Sequence, residues 1–207
     1  MASPTPRTET RSRPRMTGDE RREQLLDVTK AIVGEVGFHA VSIEAVARGA
    51  GITRPVVYGH FHDLGGLLEA MLARETARAN AQLARILPPA TWQGSSQEML
   101  LGALRGYLEA VRADSVTWRL VLMPQEGAPE MLHEQIGRGR EAVLAVLTEL
   151  VRPGFAPGRP PPDPMLTART LSTLADEAAR LILTDPDQFP IDRVMDHAAW
   201  LVDQLVA

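Results

Sequence analysis

Apolar positions recur every three to four residues along most of the chain, and nowhere alternate with polar ones over strand-like lengths. Leu25, Leu26, Val28, Thr29, Ile32, Val33 and Val36 form one such stripe. It begins behind a capping box, Thr17-Gly18-Asp19-Glu20, and stops at Gly37. Two short helices are predicted next, Ser42 to about Arg48 and Thr53 to about Phe61, separated by a glycine-containing turn. A longer helix starts at the cap Asp63 and runs to about Ile86. Further helices are predicted over 97–112, over 115–123 behind Asp114, over 129–151, over 164–184 and over 191–206. Pro124 ends the second of these, and the proline-rich stretch 153–162 excludes a helix there. The expected class is all-α with about nine helices.

Composition agrees with that class. Aromatics are 4% and hydrophobic residues 44%, enough for a core. There is no cysteine, which excludes disulfides and thiolate metal sites. No apolar run reaches the roughly 18–20 residues a membrane span needs, and residues 1–16 lack the apolar segment of a secretory signal. That segment reads as a flexible basic arm carrying Arg7, Arg11, Arg13 and Arg15, and the expected location is cytoplasmic. The formal net charge of −4 divides unevenly: residues 1–62 carry +2 and the remainder −6. The less acidic end is the one suited to meet phosphate.

The chemistry concentrates in residues 42–60. Two short helices crossing over a tight turn need a small residue at the contact, which Ala47 supplies, and a residue tolerant of positive φ, which Gly51 supplies. Ile43, Val46, Ile52 and Val57 supply apolar anchors. Thr53 is placed as N-cap of the second helix, with Pro55 in its first turn. Such a helix fits a DNA major groove with its N-terminal residues against base edges. Arg54 is suited to guanine or phosphate, and Tyr58, His60 and Thr53 to the phosphate backbone. With Ser42, Pro55 and Val56 these complete the candidate DNA-binding set.

From about residue 20 to 72 the chain resembles the DNA-binding domain of the tetracycline-repressor (TetR) family. The resemblance rests on the first amphipathic helix, the Ala50-Gly51-Ile52-Thr53 turn, the Val56–Phe61 stretch (VVYGHF) and Leu67-Leu68. It implies a three-helix DNA-binding domain over 17–62 and a helical ligand-binding and dimerisation domain over 63–207. It also implies a ligand-released repressor that binds a palindromic operator as a homodimer. One position departs: family members usually carry a lysine three residues after the phenylalanine, and here Leu64 stands there, followed by Gly65-Gly66. The stretch 124–148, with Gly137-Arg138-Gly139-Arg140, is similar to actinobacterial members.

Beyond residue 72 the resemblance lies in helix number and length. By position it places Met99, Trp118, Val121, Leu122, Met123 and Met131 as candidate effector-lining residues, with His133, Glu177 and Arg180 as polar handles. An apolar or amphipathic effector suits that set. Leu171, Leu174, Ala175, Ala178, Leu181 and Ile182, with Val194, Ala198, Leu201, Val202 and Leu205, form stripes suited to a four-helix dimer interface, to the protein's own core, or to both. No cofactor or metal is expected: His60 and His62 point to different sides of a helix, and Gly137–Arg140 lacks the Lys-Ser/Thr and preceding strand of a phosphate loop. No nucleophile–base pair is evident. Two alternatives stay open: a helical regulator-like protein that has lost DNA binding and acts through a partner, and an all-helical enzyme.

Overall fold

The computed structural model describes residues 16–86, 94–123, 130–155 and 159–206. Nine α-helices lie among the described residues: α1 (Gly18–Glu35), α2 (Ile43–Gly49), α3 (Arg54–His60), α4 (Leu64–Ile86), α5 (Ser96–Ala113), α6 (Ser115–Leu122), α7 (Glu130–Val151), α8 (Pro164–Thr184) and α9 (Ile191–Val206). The expected all-α class is the one found. Sequence reading missed a single 3₁₀ turn, Phe38–Ala40, which tucks Phe38 into the core between α1 and α2. The basic arm lies outside the described residues except for the exposed Met16, and so does Pro124.

Local rules set the helix ends. Both capping-box bonds form at α1: the Glu20 amide donates to Thr17 Oγ1, and the Thr17 amide donates to Glu20 Oε2 at 2.7 Å. The Glu20 carboxyl is held below its ordinary value by these bonds with Thr17. Gly37 leaves α1 at φ 107°, a conformation that L side chains avoid. Ser95 and Glu98 build a second box at α5, and Asp163 caps α8 by accepting from the Leu166 amide. Asp114 differs. It sits at the N-cap of α6 but its side chain caps nothing, because its carboxylate is drawn to Lys30, Arg78 and Gln82 instead. Charged partners outcompete a neutral amide.

Two cores stack along the molecule. The first gathers Leu25, Leu26 and Val33 of α1, Val46 and Ala47 of α2, Val57 of α3 and Leu67, Met71 and Leu72 of α4. The second gathers Ala79 of α4, Tyr107, Leu108 and Val111 of α5, Trp118 and Leu122 of α6, Ala179, Ile182 and Leu183 of α8, and Ile191 and Met195 of α9. The 23-residue α4 contributes to both, and so does α6, whose Leu120 joins the first core. Each fully buried Leu or Val is worth about 1.5–3 kcal/mol relative to exposure. The anchoring residues at the start of α4 therefore tie it firmly to the N-terminal unit.

Candidate functional site

The α2–turn–α3 unit has the geometry its sequence demands. Gly51 takes φ 67° in the turn, and the Ile52 amide donates to the Ala47 carbonyl at 2.9 Å. Ala47 is buried, but the tightest approach falls two residues further on. A Cβ on Gly49 would stand 2.7 Å from Val28 Cγ1, so it is Gly49 that lets α2 lie against α1. A glycine inside a helix in contact with a β-branched residue was the missed signal.

Helix α3 shows two faces. Val57 is fully buried and Phe61, at its C-cap, is 4% exposed. Thr53, Arg54, Pro55, Val56 and Tyr58 are exposed, Tyr58 by 53%. Arg54 and Tyr58 make no hydrogen bond or ion pair with the described residues. Thr53 stands at the N-cap position but its hydroxyl caps nothing. Pro55 removes one amide from the first turn, and the Val56 amide is taken by the Thr53 carbonyl at 3.0 Å, so the hydroxyl is left to solvent. Ser42 is spent locally, accepting from the Ala45 amide at the start of α2. His60 is half-buried, and its carbonyl accepts from Arg22 Nη1 at 3.1 Å, while the same guanidinium lies 4.4 Å from the Phe61 ring centroid. Arg22 thus clamps the C-terminal end of α3 and leaves its N-terminal end free.

The position of the missing lysine also has a structural account. Leu64 is half-buried against the N-terminal core. Asp63 Oδ1 accepts from the Gly66 amide at 2.8 Å and would lie 3.2 Å from a Cβ at Gly65. A carboxylate and an apolar side chain occupy the start of α4, where a phosphate would need a cation and free amides.

Between the two cores lies a polar joint. Lys30 of α1 reaches Glu75 of α4 at 2.7 Å, Asp114 at 3.1 Å and Thr117 Oγ1 of α6 at 2.6 Å. Thr117 donates to Glu75 Oε2, and Arg74 pairs with Glu75, Glu23 and Asp27. Burial pushes the Glu75 carboxyl up, but the Lys30 and Thr117 hydrogen bonds and the Lys30 and Arg74 charges outweigh it and hold it below its ordinary value. Asp114 is lowered in the same way: burial opposes, and Lys30, Thr117 and Arg78 prevail. Gln82 donates to Asp114 Oδ2 and accepts from Trp118 Nε1 at 2.8 Å, which carries the joint to the edge of the second core.

That second core holds a largely apolar cavity of about 410 Å³ bounded by α4 to α9. Of the residues expected to line it, Trp118, Val121, Leu122 and Glu177 do. Met99 and Met123 are half-buried outside the lining, Met123 packing against the core. Arg180 is turned away: its Nε donates to the Leu122 carbonyl and its Nη1 pairs with Glu177. The side chains of Met131 and His133 lie outside the described ones. Tyr107, Arg140 and Asp176 were missed. Arg140 pairs with Asp176 at 2.6 Å and the Tyr107 hydroxyl donates to Asp176 at 3.2 Å. Burial, then Asp176, pushes the phenol far up, so it stays a neutral donor. No periodicity joins positions 107, 140 and 176, so nothing in the linear pattern flags them.

On the α8–α9 side the stripes divide. Ile182 and Val202 are buried, and Ala175, Ala178 and Val194 pack on the second core. Leu174 is 54% exposed and Leu201 38%, both at the rim of the cavity, and an exposed Trp200 stacks on His197 at 5.6 Å.

An exposed recognition helix held by a buried three-helix core, joined to a larger helical body with a largely apolar cavity, defines a helix-turn-helix DNA-binding regulator. Residues 25–71 match the model of the bacterial regulatory proteins of the tetR family. The chain is 28% identical over 156 residues to the transcriptional regulator BetI of Cronobacter sakazakii, covering 75% of this chain and 76% of that one. It is 33% identical to BetI of Escherichia coli over 102 residues, about half of each chain. A tetR-family regulator from Streptomyces coelicolor superposes at TM-score 0.66 with 25% identity, over 92% of this chain and 80% of that one. FadR of Bacillus subtilis, solved with stearoyl-CoA, superposes at TM-score 0.64 with 14% identity, over 89% and 97%. Over residues 25–71 the chain is similar to the DNA-binding domain of tetR-family transcriptional regulators, and its fold is the one their solved structures show.

Proposed function

We propose that this regulator is a ligand-released repressor that reads a palindromic operator as a homodimer, working in the cytoplasm. The observation that carries the DNA-reading half is the two-faced α3: Val57 is sealed in the core while Arg54 and Tyr58 are exposed and without a polar partner among the described residues. Arg54, with Pro55 and Val56 beside it, meets base edges or phosphate, while Thr53, Tyr58 and His60 hold the phosphate backbone and Ser42 flanks them at the start of α2. Domain limits of 17–62 for the reader and 63–207 for the body follow the gap between α3 and α4. The described helices include none long and apolar enough to cross a membrane.

The effector site is the cavity behind Trp118, Val121 and Leu122, with Tyr107 and the Arg140–Asp176 pair at its polar end. Its apolar wall suits an apolar or amphipathic molecule, in keeping with the stearoyl-CoA that FadR of Bacillus subtilis holds. Helix α4 transmits the signal. Its Thr76, Ala79 and Leu83 line the cavity, and its Leu67, Met71 and Leu72 belong to the reader's core. In the DNA-bound state two α3 helices lie about 34 Å apart, one duplex turn. An effector that favours another spacing releases the operator, and near-complete release needs about 5.5 kcal/mol of differential binding. The chain is of the actinobacterial type, a reading carried by the stretch 124–148 and in keeping with the fold of the Streptomyces coelicolor regulator.

Selection of bound DNA from a random pool tests the whole reading. A two-fold symmetric sequence with half-sites one turn apart is the expected product. Failure to retain any duplex at low salt would sink it, because phosphate contacts are strongest there. The arm is tested beside it: deleting residues 1–16 weakens operator binding and flattens its salt dependence if the arm's arginines touch DNA.

A further inference from the structure

Gln82 of α4 bridges two points on α6. Trp118 Nε1 donates to Gln82 Oε1 at 2.8 Å, and Gln82 Nε2 donates to Asp114 Oδ2 at 3.1 Å. The Trp118 amide donates to the Asp114 carbonyl, so the bridge spans one turn of α6 from its N-cap. Its sense is fixed. An indole only donates and a carboxylate only accepts, so turning the Gln82 amide over breaks both bonds. A slide of α4 along α6 breaks them too, because such a bond weakens beyond roughly 3.2 Å. Apolar contact is non-directional and sets no register of this kind.

The bridge has one end in the cavity wall and the other on the reader. Trp118 lines the cavity and meets Tyr107, another lining residue, edge-on with ring centroids 5.2 Å apart. A molecule entering the cavity meets these rings, and any turn of the indole acts on the bond from Nε1 to Gln82. At the other end Asp114 Oδ1 accepts from Lys30 Nζ at 3.1 Å. Lys30 belongs to α1, whose Leu25, Leu26 and Val33 sit in the reader's core. Beside it α1 lies directly on α6, since a Cβ on Gly34 would stand 2.8 Å from Val116 Cγ1. Trp118, Gln82, Asp114 and Lys30 therefore form one unbroken hydrogen-bonded chain from cavity to reader. Asp114 leaves the first-turn amides of α6 uncapped while it serves in that chain. Lys30 also holds Glu75 and Thr117, so the joint keeps other ties if Gln82 is changed.

We propose that Gln82 is a positioning residue that sets the register of α4 on α6 and passes displacement of the Trp118 indole, through Asp114 and Lys30, to the reading unit. The inference rests on the effector site proposed above and assigns the route by which its occupation reaches the DNA. Coupling between two binding sites is reciprocal: what an effector at Trp118 does to operator binding, operator at α3 does to Trp118. The reverse direction is measurable with DNA alone.

The test uses the full-length protein with isotope-labelled tryptophan, read by the indole N–H resonances in solution NMR. Trp118→Phe assigns the Trp118 signal. The probes are the operator duplex recovered by selection and an unrelated duplex of equal length. The Trp118 resonance is expected to move as operator saturates the protein and to ignore the unrelated duplex. In Gln82→Leu the resonance of the DNA-free protein moves upfield, as a released indole N–H does, and saturating operator no longer shifts it. Gln82→Met, which keeps the side-chain length, carries the same expectation should Gln82→Leu fail to fold. A residue that only stabilises the fold would not make the Trp118 signal depend on DNA bound at α3. A parent resonance that ignores operator overturns the linkage and leaves reader and cavity as proposed. A response that persists in the Gln82 variants overturns the part given to Gln82, because the signal would then travel through apolar contacts. An unchanged DNA-free resonance in those variants also overturns it, since the bond to Trp118 would not exist. If no duplex is retained at low salt, the repressor reading falls and the linkage falls with it.

Discussion

At the scale of single residues, the reading face is built by exclusion. Arg22 holds the His60 carbonyl and covers Phe61, Val57 is sunk into the core, and Pro55 removes an amide. What remains free on α3 is its N-terminal half. Arg54→Ala is expected to cost about 1–3 kcal/mol of operator affinity if Arg54 reads a base. Anisotropy titrations against operators varied one pair at a time check this: the loss should fall on one position, whereas a uniform loss would make Arg54 a phosphate contact. The start of α4 makes the opposite kind of prediction. With Leu64 and the Asp63 carboxylate there, this end of the helix supplies no cation. Leu64→Lys should therefore add about one phosphate contact and steepen the slope of log affinity against log salt by about one. An unchanged slope would mean that DNA does not pass that point.

At the scale of elements, the joint between α1, α4 and α6 decides how firmly reader and body are coupled. Glu75 is 1% exposed and depends on Lys30, Arg74 and Thr117. Removing Lys30 leaves a buried carboxylate short of its main partner, so Lys30→Met should destabilise the protein by about 3–5 kcal/mol. Adding Glu75→Gln should return much of that loss, and chemical denaturation of the single and double variants measures it. The pH dependence has a definite sign. Glu75 and Asp114 are both held below their ordinary values in the folded state, so they bind fewer protons there than in the unfolded chain. Their stabilisation is complete above the ordinary carboxylate range and drains away as pH falls through it. In Lys30→Met that acid sensitivity should be smaller, and a steeper acid loss than in the parent would contradict the pairing.

The same elements show what a linear sequence carries and what it does not. Helix limits were legible because they depend on neighbours three or four positions away: Thr17 with Glu20, Gly37 at the end of α1, Asp163 before α8. The two-faced α3 was legible for the same reason. Thr53 and Asp114 occupy the expected cap positions yet do not cap, because a proline two residues on and three cationic or amide partners from other helices decide their bonds. The joint and the Tyr107–Asp176–Arg140 cluster each join helices far apart in the chain. Only packing brings them together, so periodicity is silent about them. Among the candidate lining residues, Trp118, Val121 and Leu122 face inward, but Met99 and Met123 do not line the cavity, since apolar character alone does not fix which way a helix turns.

At the scale of the whole molecule, the outer α8–α9 face must do something that the core stripes do not. Ile182, Val202 and Met195 are committed inward. Leu174, Trp200 and Leu201 are exposed, and Met165 and Leu166 add further apolar surface at the start of α8. Large apolar side chains left exposed on α8 and α9 of a regulator with a single reading helix argue for a second copy covering them. A homodimer also accounts for specificity, since one α3 covers too few base pairs to single out a site. Leu174→Glu with Trp200→Glu should give a monomer by sedimentation equilibrium, with the fold intact because both side chains are already outside the core. The monomer should retain weak, salt-sensitive binding to any duplex, through Arg54 and its neighbours, and lose preference for the palindrome over a single half-site. A double variant that stays dimeric would move the interface elsewhere. A monomer that still prefers the palindrome would remove pairing from the mechanism, and with it the need for α4 to change the spacing of two readers.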